Sequence, residues 1–135
     1  MAIVAGAGNP AGSGGTAGVG TSLNYIGDHA YAFSGVVNDS SSGSAATTAL
    51  KFSTGSNYIV GTIDMIIDET LNNQQYVDVR INGESVFKGS WDAEPNQLSG
   101  RPLTQIILPS YADCEIKWGS SADRNATIIF VGRVY

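Results

Sequence analysis

The chain has 135 residues, a net charge of −5 and only 14% charged residues, and its seven lysines and arginines are scattered along the sequence. Binding to a nucleic-acid backbone needs clustered basic residues, so this composition argues against it. A single domain of this length buries roughly two-thirds of its unfolded surface and needs no disulfide or metal to stabilise its core. Cys114 is the only cysteine, which excludes a disulfide within the chain, and we expect a small buried side chain there.

Residues 1–22 differ in composition from the rest of the chain, because they hold seven of its 17 glycines. Ordering such a segment costs much backbone entropy and gains little side-chain contact. We therefore expect an extended Gly/Ala-rich N-terminal arm that packs over its own domain or between neighbouring subunits. The domain itself is expected over 23–135. The first residues lack the basic and apolar regions of a secretory signal, and no run approaches the ~18 apolar residues of a membrane span, so no membrane partner is expected.

Strand-like runs follow one another beyond the arm, and no amphipathic helix of useful length is present. Clusters of Asn, Gly, Ser and Pro separate runs rich in β-branched and aromatic residues. The runs cover 31–38, 46–52, 58–67, 75–81, 85–91, 103–108, 113–118 and 126–134. Eight short antiparallel strands predict an all-β sandwich or barrel, and the jelly roll is the eight-stranded arrangement. We therefore predict an eight-stranded antiparallel β-sandwich of the jelly-roll type.

The runs are of two kinds, and the difference between them supports this topology. The run 113–118 alternates charged and apolar residues, whereas 63–67, 105–108 and 128–131 are apolar on both faces. Strands of the second kind must be covered on both sides. A jelly roll places runs one, eight, three and six in one sheet, and these are the runs with little or no charge. The charged, alternating runs fall in the other sheet.

This assignment predicts both a core and an apolar outer surface. The predicted core is Leu50, Phe52, Ile59, Ile63, Met65, Ile67, Val77, Val79, Ile106, Leu108, Cys114, Ile116, Trp118, Ile128, Phe130 and Val134. The predicted interface residues, on the reverse face of the apolar sheet, are Tyr58, Val60, Ile66, Leu103, Ile107, Ile129 and Val131. Seven apolar side chains in one patch reach the usual limit for a soluble monomer. A partner surface or the arm is therefore expected to cover them.

The fourth and fifth runs meet at Asn82-Gly83, the strongest short signal for a β-hairpin. A two-residue turn pairs Val79 with Val86. A three-residue loop with a bulge instead pairs Val77 with Phe87 and turns Val86 outward. We favour the two-residue turn.

Residues that could support catalysis or metal binding give weak signals. His29, the only histidine, follows Asp28 in a turn, and adjacency in sequence does not make a catalytic pair. The glycine-rich stretch 12–16 lacks the lysine of a phosphate-binding loop. Acidic residues that could supply calcium ligands show no EF-hand spacing: Asp64, Asp68, Glu69, Asp92 and Glu94. We predict no catalytic residue, no cofactor and no metal site, and hence a protein that is not an enzyme.

Four stretches of the chain resemble small jelly-roll structural proteins of tailed bacteriophages. They are 24–35 (NYIGDHAYAFSG), 50–61 (LKFSTGSNYIVG), 107–109 (ILP) and 131–135 (VGRVY). The resemblance extends over most of 24–135 and implies a capsid-associated or fibre-associated role. It supplies no catalytic residues.

We therefore expect a capsid cement or decoration protein that is made in the host cytoplasm and located on the virion surface. Its expected partners are the major capsid protein or another virion protein, and further copies of itself in a trimer or dimer. The alternative is a fibre or spike head that binds host glycans through aromatic residues in or near loops, namely Tyr25, Tyr76, Trp91 and Tyr111.

Overall fold

The computed structural model describes residues 23–40, 42–67, 73–93 and 99–135, and it describes their side chains except at 73, 91–93 and 99–104. Within these ranges the chain forms nine β-strands and no helix. The strands are β1 (Asn24–Ile26), β2 (His29–Ser40), β3 (Thr47–Ser53), β4 (Ile59–Ile67), β5 (Asn73–Ile81), β6 (Glu84–Ala93), β7 (Ser99–Leu108), β8 (Asp113–Ser120) and β9 (Asp123–Val134). The predicted arm, 1–22, lies outside the described residues.

The strands form two antiparallel sheets, consistent with a β-sandwich. The first sheet has the order β1-β2-β9-β4-β7 and the second has the order β3-β8-β5-β6. The eight predicted runs correspond to β2 through β9, and they divide between the sheets as the sequence predicts. The short strand β1 is an addition, which pairs with the beginning of β2 from Asn24 opposite Tyr31 to Ile26 opposite His29.

The core lies where the inward faces of the two sheets meet. Trp118 on β8 and Phe130 on β9 are fully buried, and the rings of Phe52 and Phe130 lie 5.0 Å apart. The predicted core residues are all buried, apart from Ile106 and Val134, which are partly buried and pack against it. Buried apolar residues that the prediction did not include are mostly small: Leu23, Ala30, Ala32, Val37, Ala49, Ala112 and Ala126.

The β5–β6 hairpin has the expected two-residue turn but not the expected pairing. Asn82 and Gly83 have φ angles of 52° and 86°, as a type I′ turn requires, and Ile81 pairs with Glu84. A bulge then shifts the register, so that Val79 pairs with Phe87. The predicted pairing of Val79 with Val86 is therefore wrong. The extra residue in the bulge lets Phe87 turn toward the core while Val86 is exposed.

A buried carboxylate fixes the loop between β2 and β3 to the second sheet. Asp39 accepts hydrogen bonds from the backbone N–H of Ser42 (3.0 Å), the Ser42 hydroxyl (2.9 Å), the Thr47 hydroxyl (2.8 Å) and the backbone N–H of Ser120 (3.0 Å). Burial alone would raise the pKa of Asp39, but these hydrogen bonds outweigh it and lower the pKa. The loop is therefore held in one place over the edge of β8.

Candidate functional site

The outer face of the first sheet carries a large set of apolar side chains, with polar residues such as Thr62, Asp64 and Gln105 among them. Inward side chains alternate along each strand with outward ones, and the outward ones include Tyr31, Phe33 and Val36 on β2, Ile129 and Val131 on β9, Val60 and Ile66 on β4, and Ile107 on β7. We call these eight residues the outer apolar face. Several are well exposed, with 63% of the Ile107 surface and 45% of the Val131 surface accessible.

The strand register brings most of the predicted interface residues together on this face. Val60 lies directly opposite Ile107 on β7, and Val131 lies opposite Thr62 on β4. Ile129 is one row further along β9, opposite Asp64. Cross-strand neighbours of this kind have Cβ atoms about 5 Å apart, so Thr62 and Asp64 on β4 lie beside Val131 and Ile129 and interrupt the apolar surface between β9 and β7. The use of the predicted residues as an interface stays a prediction.

The other predicted interface residues lie at the margins of the face or outside the described side chains. Ile66 lies toward the end of β4 and is exposed. Tyr58 precedes β4, and its ring stacks on that of Tyr135 with the centroids 5.4 Å apart. Leu103 belongs to β7, but its side chain is not among those described.

The prediction missed the contribution of β2 to this surface. Tyr31 lies opposite Val131 and Phe33 opposite Ile129, and the two aromatic rings are 5.1 Å apart. Ala30 and Ala32 take the inward positions between them and are fully buried. The signal was present in the alternation of aromatic and small residues. This alternation is easily assigned to the wrong faces of the strand, because large apolar residues are usually assumed to face the core.

Charged groups occupy one end of the outer apolar face and one position within it. Arg133 donates to the Asp28 carboxylate at 3.0 Å and lies 5.9 Å from the centroid of the Tyr135 ring. His29 contacts the same carboxylate at 2.9 Å and is largely exposed. Asp64 is half-buried beside Ile129, and it makes no hydrogen bond or ion pair with any described side chain. The face thus combines apolar and polar positions, with Asp64 inside it and Arg133 and His29 at one end.

Cys114 is buried as the sequence predicts. Burial, followed by the charge of Glu115, raises the pKa of its thiol to about 12. The thiol is therefore protonated at neutral pH and packs as a small apolar side chain.

Within the described ranges, no group of three or more His, Cys, Asp or Glu side chains is placed to hold a metal ion. The calcium candidates Asp68, Glu69 and Glu94 lie outside the described residues, as does the side chain of Asp92. In the part of the chain that the structure describes, no helix has the length and apolar character of a membrane span.

Of the aromatic residues considered for glycan binding, Tyr25 and Tyr111 both contact the backbone of Gly55, whereas Tyr76 lies on another surface. Tyr25 is half-buried, and burial raises the pKa of its phenol although its hydrogen bond to the Gly55 backbone opposes the shift. Tyr111 is 76% exposed, has a φ angle of 53° and donates its backbone N–H to Gly55 at 2.8 Å. Tyr76 lies instead on the outer face of the second sheet. The Trp91 side chain is outside the described set.

No protein-family model and no curated protein matches this chain.

Proposed function

We propose that the protein is a non-enzymatic structural protein of a phage virion, and more specifically a cement or decoration protein on the capsid shell. The observation that carries this proposal is the outer apolar face, which exposes aliphatic and aromatic side chains from four neighbouring strands. Apolar surface on this scale is typical of a protein that is covered by a partner. The phage assignment rests on the sequence resemblance alone.

We infer that the two sheets have the jelly-roll topology. Leaving β1 aside, the first sheet contains strands one, eight, three and six of the remaining eight, and the second contains two, seven, four and five. This order supports the assignment because a jelly roll folds a long antiparallel ribbon so that consecutive strands alternate between sheets, except for the central hairpin, which here is β5 and β6. The topology bears on the function because the two sheets pack through their inner faces. The outer face of each sheet is then available for contact with a partner or with solvent.

The size of the outer apolar face supports a stable contact. Four strands about 4.8 Å apart, with roughly ten residues each at about 3.3 Å per residue, span about 600 Å² on one copy. Two surfaces of this size bury about 1,200 Å² in total, which is enough for a specific interface. The partner is a neighbouring copy of this protein or the major capsid protein, and residues 1–22 extend the contact to an adjacent subunit.

The proposed mechanism is mechanical. Each copy binds only the assembled shell, and binding to one state of an equilibrium stabilises that state. Several weak contacts made by one oligomer raise the apparent affinity without any single strong contact. The charged outer face of the second sheet is turned toward solvent in this arrangement.

The experiment compares two lysine substitutions on particles. Val131→Lys places a charge in the middle of the outer apolar face, whereas Val86→Lys places the same charge on an equally exposed valine of the other sheet. Particles carrying each variant are purified, and the copy number per particle is measured by quantitative mass spectrometry. We expect hundreds of copies for the wild type and for Val86→Lys, and at least a tenfold loss for Val131→Lys.

The proposal is wrong if both variants occupy particles equally, or if the wild-type protein is absent from particles. A copy number of a few tens would favour a fibre or vertex protein over a cement.

Limited proteolysis of the isolated protein tests the contribution of residues 1–22: resistance of this segment in a monomer would exclude the contact with a neighbouring subunit.

A further inference from the structure

The second sheet gathers basic residues that are scattered in the sequence. Lys51, Lys117, Arg80 and Lys88 all point outward from it, because their strand neighbours Leu50, Phe52, Val79, Ile116 and Trp118 are buried. Four of the seven lysines and arginines of the chain therefore share one face. Three carboxylates with described side chains, Asp78, Asp113 and Glu115, point outward from the same strands. The described charges on this face sum to +1, four cations against three carboxylates, in a protein whose net charge is −5.

A depression of about 500 Å³ lies on this charged face. Its floor is formed by strands β5 and β6, which contribute Tyr76, Asp78, Arg80, Lys88 and Ser90, and one wall is the loop residue Ser44. Ligand pockets for small molecules range from about 300 to 1,000 Å³ and combine an apolar surface with a few placed polar groups. This depression offers one aromatic ring, two serine hydroxyl groups, two cations and the carboxylate of Asp78.

The wall of the depression is held rigidly. A side chain at Gly119 on β8 would collide with the backbone of Ser44, so glycine is what allows the loop to lie directly on the sheet. The Ser42 hydroxyl, which also contacts Asp39, lies 2.7 Å from the Ser44 carbonyl oxygen, and the Gly43 N–H donates to the Ser120 carbonyl oxygen at 3.1 Å. A site whose wall is fixed before binding loses less entropy when a ligand enters.

The two cations in the depression differ in whether they form a salt bridge. Arg80 donates from Nε to the Asp78 carboxylate at 2.9 Å, which leaves the terminal nitrogens of its guanidinium group for other acceptors. Lys88 lies opposite Asp78 on the neighbouring strand and forms no salt bridge in the described part of the chain. Lys117 lies opposite Asp78 on the other side. Arg80 also lies opposite Glu115 on β8, so Lys88 is the cation of the depression that no salt bridge within the described residues engages.

We propose that this depression binds an acidic saccharide, with the anionic group of the sugar at Lys88 and Arg80 and its ring beside Tyr76. Ser44 and Ser90 present hydroxyl groups that pair with sugar hydroxyls, and a tyrosine ring provides the flat apolar surface on which a sugar ring packs. The anionic group is a carboxylate or a sulfate, since both accept hydrogen bonds from guanidinium and ammonium groups. This inference does not depend on the assembly role, and it concerns the face opposite to the outer apolar face.

The experiment titrates the full chain with defined oligosaccharides by isothermal calorimetry at low ionic strength. The probes are a hyaluronan hexasaccharide, which carries carboxylates, a heparin hexasaccharide, which also carries sulfates, and neutral maltohexaose. Lys88→Gln removes the cation in the depression. Lys51→Gln makes the same change on the same face but outside the depression, and it is the matched control.

We expect at least one acidic probe to bind, maltohexaose not to bind, and Lys88→Gln to weaken binding at least tenfold while Lys51→Gln changes it less than twofold. Tyr76→Ala should weaken binding by a similar factor to Lys88→Gln. Preference between the two acidic probes identifies the anionic group. The proposal is overturned if neither acidic probe binds, if the neutral sugar binds as tightly, or if the two lysine variants lose affinity equally, which would indicate diffuse charge attraction. None of these results bears on particle occupancy, so the two proposals fail separately.

Discussion

The Asp39 carboxylate accepts a hydrogen bond of 3.0 Å from the backbone N–H of Ser120, and this contact joins β2 of the first sheet to β8 of the second. Asp39 also accepts three hydrogen bonds from the Ser42 and Thr47 side of the loop. One buried carboxylate on the first sheet therefore satisfies donors from the second sheet and from the loop that joins β2 to β3. Removing it would leave the buried Ser120 N–H without an acceptor.

Replacing Asp39 should destabilise the protein strongly. Asp39→Ala removes four hydrogen bonds to a charged acceptor and leaves donors unsatisfied, so we expect a loss of about 2–4 kcal/mol in the free energy of unfolding. Asp64→Ala removes a carboxylate that makes no hydrogen bond with described side chains, and it should change stability by less than about 0.5 kcal/mol. Urea unfolding of both variants measures the difference. Equal losses would contradict the bridging role of Asp39.

Stability should fall in acid partly because of the same group. The pKa of Asp39 is lowered in the folded protein from its ordinary value of 3.8, so the unfolded chain binds a proton at a higher pH than the folded chain does. The stabilisation is therefore fully present above the unfolded pKa and is lost as the pH falls through the folded pKa. Asp78, whose pKa is also lowered, acts in the same direction. Unfolding curves between pH 6 and 2 should show the gap between wild type and Asp39→Ala narrowing below about pH 4. A constant gap over this range would contradict the assignment.

Gly119 should tolerate no side chain. Gly119→Ala places a methyl group against the backbone of Ser44, which cannot move aside as a flexible side chain would. We expect a loss of about 1–3 kcal/mol and displacement of the loop. Gly55→Ala is the control, because a Cβ there meets open space. Hydrogen exchange at the Gly43 amide, which is bonded to Ser120 in the wild type, reports on the loop directly. Unchanged protection in Gly119→Ala would contradict this account.

Because of the bulge in the β5–β6 hairpin, the adjacent residues Phe87 and Val86 should contribute very differently to the free energy of unfolding. Phe87 packs against the core, and truncating it to alanine should cost about 2 kcal/mol. Val86 is 53% exposed, and Val86→Ala should cost less than about 0.5 kcal/mol. The midpoints of urea unfolding distinguish them. A larger loss of stability in Val86→Ala than in Phe87→Ala would instead support the pairing of Val79 with Val86.

Cys114 should be inert in the folded protein. Its thiol is buried and has a pKa of about 12, so almost no thiolate is present at pH 8. We expect no reaction with a thiol-specific disulfide reagent over an hour under native conditions, and one equivalent of reaction after unfolding in urea. Rapid labelling of Cys114 under native conditions would show that β8 opens and exposes the thiol.

Several features could be predicted from the sequence because they depend on local pattern. The alternation in 113–118 defines which side of β8 faces the core, and Asn82-Gly83 defines a two-residue turn. The division of strands between sheets follows from which runs carry charge. These signals need no knowledge of distant contacts.

Other features depend on packing between distant parts of the chain and could not be predicted. The bulge that turns Phe87 inward inserts one residue without a turn signal of its own. The buried pairs of Asp39 with Thr47 and Ser120 join residues that are 8 and 81 positions apart. The basic cluster on the second sheet likewise appears only once Lys117 and Lys88 are placed on either side of Asp78.

An irregularity near Gly35 and the buried Asp39 together protect the edge of β2 from pairing with another chain. Beyond the three residues paired with β1, this strand has no further strand beside it on that side among the described residues. A free edge of this kind is a template on which another chain can add and begin to aggregate. The register shift between Phe33 and Val36 breaks its regularity, and an inward carboxylate makes uncontrolled strand addition costly. These two features thereby keep the protein from polymerising through its own backbone.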